Sequence, residues 1–301
     1  MINLPVGVDI NNLIKDLRLF SWEASEILLF YSKKIKNSKN KNELIKNNDN
    51  DNPVTEADLK VNELIINKIN EKYKEINWGI LSEETFKNES NFCDTNFDWL
   101  WVLDPLDGTK DFLQGTGNYA MHLSLNYKNK PLIGCVLIPE RNELWISNGE
   151  KSWCERKNGS IIKIKKTKNK TISSMKIVTS KNHRNETLKR LIEKLKFKDR
   201  IVMGSIGCKI TSILRGESDI YISLSLPGKS APKDWDFSAP EAILKAAGGR
   251  ISTINNNELS YGKPRFEQRG IIIASNQVDH KNICFEILKI IKKYDLYNFK
   301  N

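Results

Sequence analysis

Trp99-Leu-Trp-Val-Leu-Asp104-Pro-Leu-Asp107-Gly-Thr109 is the stretch on which the reading of this chain turns. Its first half is a short apolar run rich in β-favouring residues, which predicts a buried strand. Its second half puts two carboxylates, Asp104 and Asp107, on a turn built with Pro105 and Gly108. Asp, Pro and Gly are also what ordinary turns contain, so the motif alone reads equally as a strand end. Carboxylates this close repel each other unless a cation lies between them. Hard oxygen ligands suit Mg²⁺, which keeps part of its water shell and is completed by phosphate oxygens. Gly108 also lets backbone N–H groups approach an anion.

Outward from this stretch, other acidic groups fall at the ends of expected elements. Glu83-Glu84 follows a short strand expected over Trp78 to Leu81 and reads either as a ligand source or as a solvated acidic pair. Thr55-Glu56-Ala57-Asp58 has the S/T-x-x-D/E form of a helix cap, and Val61, Leu64, Ile65 and Ile69 continue it as one apolar face. Asp236 precedes Phe237-Ser-Ala-Pro240 and is open to the same capping explanation. Convergence of these groups on one metal site is an expectation that spacing does not prove.

Earlier, Leu13, Leu17, Phe20, Ala24, Leu28 and Tyr31 recur at helical spacing, and Lys33 to Asp51 reads as a polar loop. After the central motif, Tyr119 to Tyr127, Leu132 to Ile138 and Glu143 to Ser147 read as successive antiparallel strands. A lysine-rich stretch from Lys163 to Ser174 suggests a boundary near Lys170, giving an α+β half over 1–170 and a second half over 171–301. In that second half strands at Lys176 to Thr179, Arg200 to Met203, Asp219 to Ser223 and Gly270 to Ala274 alternate with helices. These are expected over Asn185 to Leu195, Cys208 to Leu214, Phe237 to Ala247 and Lys281 to Tyr294, so the half reads as layered α/β.

Composition narrows the function. With 301 residues, 39% of them apolar, the chain has enough material for a substantial core. No apolar run approaches the ~18 residues of a membrane span, and the first residues lack a basic-then-apolar leader pattern, so a cytoplasmic protein without a membrane span is expected. The five cysteines are scattered singly, which argues against a zinc site or disulfide framework. A net charge of +11 invites a nucleic-acid reading, but Lys is interleaved with Asn and Glu along the whole chain rather than gathered in a patch. A nucleic acid is therefore not the expected partner, and such a surface equally suits a polyanionic small substrate; a small phosphorylated metabolite is what the resemblance given next implies.

Four segments taken together resemble the inositol monophosphatase superfamily: Pro53 to Asp58, Leu81-Ser-Glu-Glu84, Trp101 to Phe112, and Trp235-Asp236 through Ala247-Gly-Gly249. Within it, Leu81-Ser-Glu-Glu84, Thr109-Lys-Asp-Phe112, Ser180-Lys-Asn-His183 and Gly204-Ser-Ile-Gly-Cys-Lys209 are similar to the CysQ-type 3′(2′),5′-bisphosphate nucleotidases. The resemblance implies a layered αβαβα sandwich with its site between the halves. It also implies hydrolysis of the 3′-phosphate of 3′-phosphoadenosine 5′-phosphate with two or three Mg²⁺, and inhibition by lithium.

Carried over by resemblance, Glu83, Asp104, Asp107, Asp236 and the Leu106 carbonyl would bind Mg²⁺. Thr109 would orient the attacking water, supported by an acidic residue before Pro53. Asp49, Asn50, Asp51 and Asn52 leave its register open, and Asp51 is taken for that place. Gly108, Thr109, Ser205, Lys209 and His183 would contact substrate, although Ser205 and Lys209 also read as a helix cap and a surface lysine, and His183 as a loop residue. The run Leu226 to Trp235, and Lys181-Asn182 in place of Arg-Ser, depart from the nucleotidase pattern. An inositol-1-phosphate or fructose-1,6-bisphosphate phosphatase is the alternative activity, and a basic nucleic-acid-binding protein the alternative class.

Overall fold

The computed structural model describes residues 4–37, 45–47, 54–88, 97–165, 169–180 and 185–298. The chain opens with helix α1 (Ile10–Asn37), then the small β1 (Ile45–Asn47) and β2 (Val54–Thr55), and helix α2 (Glu56–Lys72). Thr55 is the N-cap of α2: its hydroxyl accepts from Ala57 N–H, and its own N–H donates to Asp58 Oδ2 at 2.8 Å, closing a capping box. The first helix is longer than its predicted apolar stripe, because its last turns present lysines to solvent.

Next come β3 (Gly79–Ser82), α3 (Glu83–Asn88), β4 (Trp99–Asp107), α4 (Thr109–Gln114), β5 (Ala120–Tyr127), β6 (Lys130–Ile138), β7 (Glu143–Ser147), β8 (Ser152–Glu155) and β9 (Ile161–Ile162). Strands β3 to β9 form a seven-stranded sheet in chain order, with only β3 and β4 parallel. The remainder is β10 (Lys176–Ser180), α5 (Glu186–Leu195), β11 (Asp199–Met203), α6 (Ile206–Leu214), β12 (Ile220–Leu224), α7 (Asp234–Ala246), β13 (Arg250–Thr253), β14 (Ile271–Ser275) and α8 (His280–Lys293). Its five strands make a mixed sheet in the order β11-β10-β12-β14-β13.

Period-two alternation decides which face of each strand meets which helices. Trp101, Leu103, Met121, Leu123, Leu125, Ile133 and Cys135 bury under α1 and α2. Ala120, Val136, Ile138 and Trp145 leave the other face of the same sheet and pack with α6 and α7, which also cover Val178, Tyr221, Ile272 and Ala274 of the five-stranded sheet. Ile177, Ile220, Ile222 and Ile273 point the other way, onto α5 and α8. The layers therefore run helix, sheet, helix, sheet, helix, which is the expected αβαβα sandwich. No described helix is long and apolar enough to cross a membrane.

The central layer is tight where α7 crosses β6. A Cβ on Gly134 would lie 2.9 Å from Ala242 Cβ and 3.2 Å from both Cα and O of Ala239. Helix backbone is too rigid to yield there, so Gly134→Val should lower stability by about 1–3 kcal/mol, the range for overpacked cores. Urea denaturation of the two proteins checks this; an unchanged midpoint would show that α7 shifts freely on the sheet.

Candidate active site

Where β4 ends, its pairing with β5 breaks: Asp104 faces His122 and Asp107 faces Ala120, with an irregularity between them. Pro105 lacks an N–H for the ladder, and Leu106 N–H turns back to donate to Asp104 Oδ1 at 3.0 Å. Gly108 follows at φ +90°, and a Cβ there would meet Asn118 O at 3.0 Å and Ser205 N at 3.1 Å. Only glycine suits both the left-handed backbone and that close approach. Helix α4 starts at once, so Asp104, Leu106, Asp107 and Thr109 are held on one short turn.

Two other elements aim at this turn. Strand β3 runs parallel to β4 with Ser82 opposite Leu103, which sets Glu83, the first residue of α3, beside Asp104. Helix α7 arrives from the second half with Asp236 in its first turn, where Lys233 N–H donates to Asp236 Oδ2. One ligand oxygen from each of Asp104, Asp107 and Asp236 falls within 4.8 Å of the others. Burial, together with Glu83, Asp107 and Asp236, pushes the Asp104 carboxyl well above its ordinary value; burial, Asp107 and Glu83 do the same to Asp236. Such mutual repulsion in an all-oxygen set, with Asp104 buried and Asp107 and Asp236 half-buried, is what a hard divalent cation relieves, so these residues fit Mg²⁺.

Thr109 Oγ1 lies 3.1 Å from the Leu106 carbonyl oxygen and 3.4 Å from Asp58 Oδ1. Asp58 is 2% exposed, and its carboxyl is pushed up to about 8, first by burial and then by Glu84. The acidic residue that the described structure sets against Thr109 is therefore Asp58, to which spacing assigns only a capping role. Asp51, the residue taken for that place, lies outside the described residues, as does His183. The sequence does carry one signal for Asp58: it sits on the apolar face that includes Ala57, Val61 and Ile65, where a lone carboxylate needs a partner.

Ser205 and Lys209 are brought to the same place. Ser205 caps α6 by accepting from Cys208 N–H, and its hydroxyl donates to Asp107 Oδ2 at 2.6 Å. Lys209 is not a surface lysine: it is 2% exposed, donates to the Gly204 carbonyl, and has Nζ 5.2 Å from the centre of the Tyr221 ring. Burial lowers its pKa, opposed by Asp107 among other groups.

The sequence signature of the inositol monophosphatase family matches residues 11–292. The chain belongs to the inositol monophosphatase family. Among curated relatives, it is 33% identical over 209 residues to the 3′(2′),5′-bisphosphate nucleotidase CysQ of Buchnera aphidicola, covering 69% of this chain and 74% of that one. The CysQ of Aggregatibacter actinomycetemcomitans is 26% identical over 255 residues, covering 84% and 88%. In structure, the chain resembles the Thermotoga maritima IMPase with TM-score 0.70 at 20% identity, over 94% of this chain and 99% of that one. It resembles the inositol monophosphatase of Zymomonas mobilis with TM-score 0.71 at 18% identity, over the same shares. The fold is thus the inositol monophosphatase fold, and the chain is a phosphatase.

Proposed function

We propose that this phosphatase removes the 3′-phosphate from a 3′,5′-bisphosphate nucleotide, with 3′-phosphoadenosine 5′-phosphate giving AMP and phosphate. The observation that carries the reading is the meeting of Asp104, Asp107 and Asp236 within 4.8 Å, with Glu83 beside them and Lys209 buried close by. The relatives named as CysQ nucleotidases support the choice of substrate.

Glu83, Asp104, Asp107, Asp236 and the Leu106 carbonyl would hold two or three Mg²⁺, which when bound supply Lewis acidity and neutralise phosphate charge. The chain's own groups do the rest. Thr109 Oγ1 orients the attacking water and takes its proton as the threonine proton passes to the Asp58 carboxylate at Oδ1. Gly108, at the start of α4, brings backbone N–H toward the scissile phosphate. Ser205 and Lys209 lie on the α6 side, where a second phosphate would be recognised. A cytoplasmic setting belongs to the same reading.

Phosphate release from 3′-phosphoadenosine 5′-phosphate, inositol 1-phosphate and fructose 1,6-bisphosphate, each with and without Mg²⁺, tests the proposal. The nucleotide is expected to lead both others in kcat/KM, and to lead inositol 1-phosphate, which lacks a second anionic group, by about 10²-fold or more. A preference for inositol 1-phosphate would overturn the substrate choice. Salt-sensitive nucleic-acid binding without turnover would overturn the reading altogether.

A further inference from the structure

A small apolar cluster stands apart from the three main cores and gathers the elements of the acidic site. It consists of Leu81 on β3, Phe86 on α3, Leu100 and Val102 on β4, Trp235 on α7, and Phe266. Leu81 and Phe86 flank Glu83, Val102 lies two residues before Asp104, and Trp235 immediately precedes Asp236. Every element that packs here therefore carries or leads to a carboxylate of the site, except the segment 260–268 that supplies Phe266. Three rings meet in the cluster. The centroids of Phe86 and Trp235 are 5.5 Å apart, those of Phe86 and Phe266 5.3 Å, and those of Trp235 and Phe266 6.2 Å. These contacts join α3 to α7, the two elements that bring Glu83 and Asp236 from opposite halves of the chain.

The segment 260–268 is fastened to the start of α7. Gly262 N–H and Gln268 Nε2 donate to the two oxygens of Asp234, at 2.7 and 2.6 Å. Gln268 N–H donates to the Pro232 carbonyl at 2.8 Å, and Lys233 Nζ to the Arg265 carbonyl at 3.0 Å. Between these ties, Arg265 and Phe266 have φ +65° and +55°. Two successive side-chain-bearing residues in the left-handed region are unfavourable, the more so when one is bulky. The hydrogen bonds hold them there, and the conformation turns the buried Phe266 ring onto Trp235 and Phe86.

We infer that Phe266 is a positioning residue: held by its strained turn, it wedges Trp235 against Phe86 and so fixes Asp236 relative to Glu83 for a shared divalent cation. The inference rests on the cation reading of the acidic cluster. A divalent cation needs its oxygen ligands at set distances, so a looser start of α7 lowers affinity without removing any ligand.

Calorimetric titration of Mg²⁺ into chelator-stripped full-length protein, without substrate, reads this directly. Phe266→Ala is expected to weaken binding by about tenfold or more, the usual cost of losing the support behind metal ligands, and Phe266→Leu to recover most of that loss. Ile287→Ala, on α8 in an outer layer, is the control for plain destabilisation: it should lower the melting temperature and leave Mg²⁺ affinity unaltered. Equal effects of Phe266→Ala and Ile287→Ala on affinity, or no effect of either, would mean a packing role and overturn the inference. Arg265 tests the turn separately, because its side chain is 75% exposed. Arg265→Val and Arg265→Gly remove the same charge, but a β-branched residue resists the left-handed region that glycine enters freely. The valine variant should therefore lose Mg²⁺ affinity that the glycine variant keeps. Equal affinities in that pair, which decides the matter if Phe266→Ala fails to fold, would overturn the inference. If the parent protein binds no Mg²⁺, the cation reading falls and this inference with it, whereas a binding parent with unaltered variants removes this inference alone.

Discussion

Asp107→Asn is expected to leave the protein folded and to lower phosphate release at saturating Mg²⁺ by about 10³-fold or more, a rise of ~4 kcal/mol in the barrier. The two oxygens of Asp107 divide its work between fold and chemistry. Oδ2 accepts from Ser205 Oγ and from the N–H groups of Ile206 and Gly207, so the asparagine carbonyl oxygen is drawn to that position. Its amide then points to the place where the cluster needs an anion, and two N–H donors face any approaching cation. A fold-preserving change has in effect reversed the polarity of a ligand. Circular dichroism and urea unfolding should match the parent while turnover is lost. A rate within tenfold of the parent would remove Asp107 from the set of essential groups.

That division of oxygens also explains what could be read from the sequence. Thr55 as a helix cap, the strand beginning at Trp99 and the strand Glu143–Ser147 follow from local chemistry, and local chemistry is visible in spacing. Asp58, Asp104 and Asp236 each accept from an N–H group two or three residues away and also face residues far away in the chain. Spacing shows only the first half of that behaviour, so Asp58 reads as a cap although it also faces Thr109. The burial of His122 is hidden for a related reason. In β5 the alternation of Met121, Leu123 and Leu125 with His122, Ser124 and Asn126 reads as one buried and one wet face, yet α7 covers the polar face as well. Strands β8, β9 and β13 are not legible in spacing because they are short: β9 is two residues long, and the four residues of β8 and of β13 include Ser152 and Glu155 in the one and Arg250 in the other. The departure at Lys181-Asn182 and the expected substrate contact at His183 fall outside the described residues.

Asp58→Asn should separate activity from stability more sharply than any other change. The buried Asp58 carboxyl titrates at about 8 in the fold against an ordinary 3.8, because burial and Glu84 disfavour its charge. A raised value means that the folded state holds the proton more tightly than the unfolded chain. The stabilisation is therefore complete below the unfolded value and is lost as pH rises through the folded one. Asparagine imitates the protonated acid at every pH: its oxygen can accept from Thr55 N–H and Oγ1, and its amide can donate to Thr109 Oγ1, which still has the Leu106 carbonyl as acceptor. In the metal-free protein the variant should gain roughly 2 kcal/mol or more at pH 9 and close to nothing at pH 4. A tenfold difference in proton affinity between folded and unfolded chain is worth ~1.4 kcal/mol, and relaxation around the charged carboxylate gives part of the total back. Added Mg²⁺ should shrink the gain, because a nearby cation favours the charged carboxylate. Turnover should meanwhile fall by about 10²–10⁴-fold, the usual contribution of a positioned proton acceptor. Urea unfolding at both pH values and steady-state phosphate release decide the matter: a variant that is less stable at pH 9, or that keeps its activity, would show that Asp58 is a helix cap and nothing more.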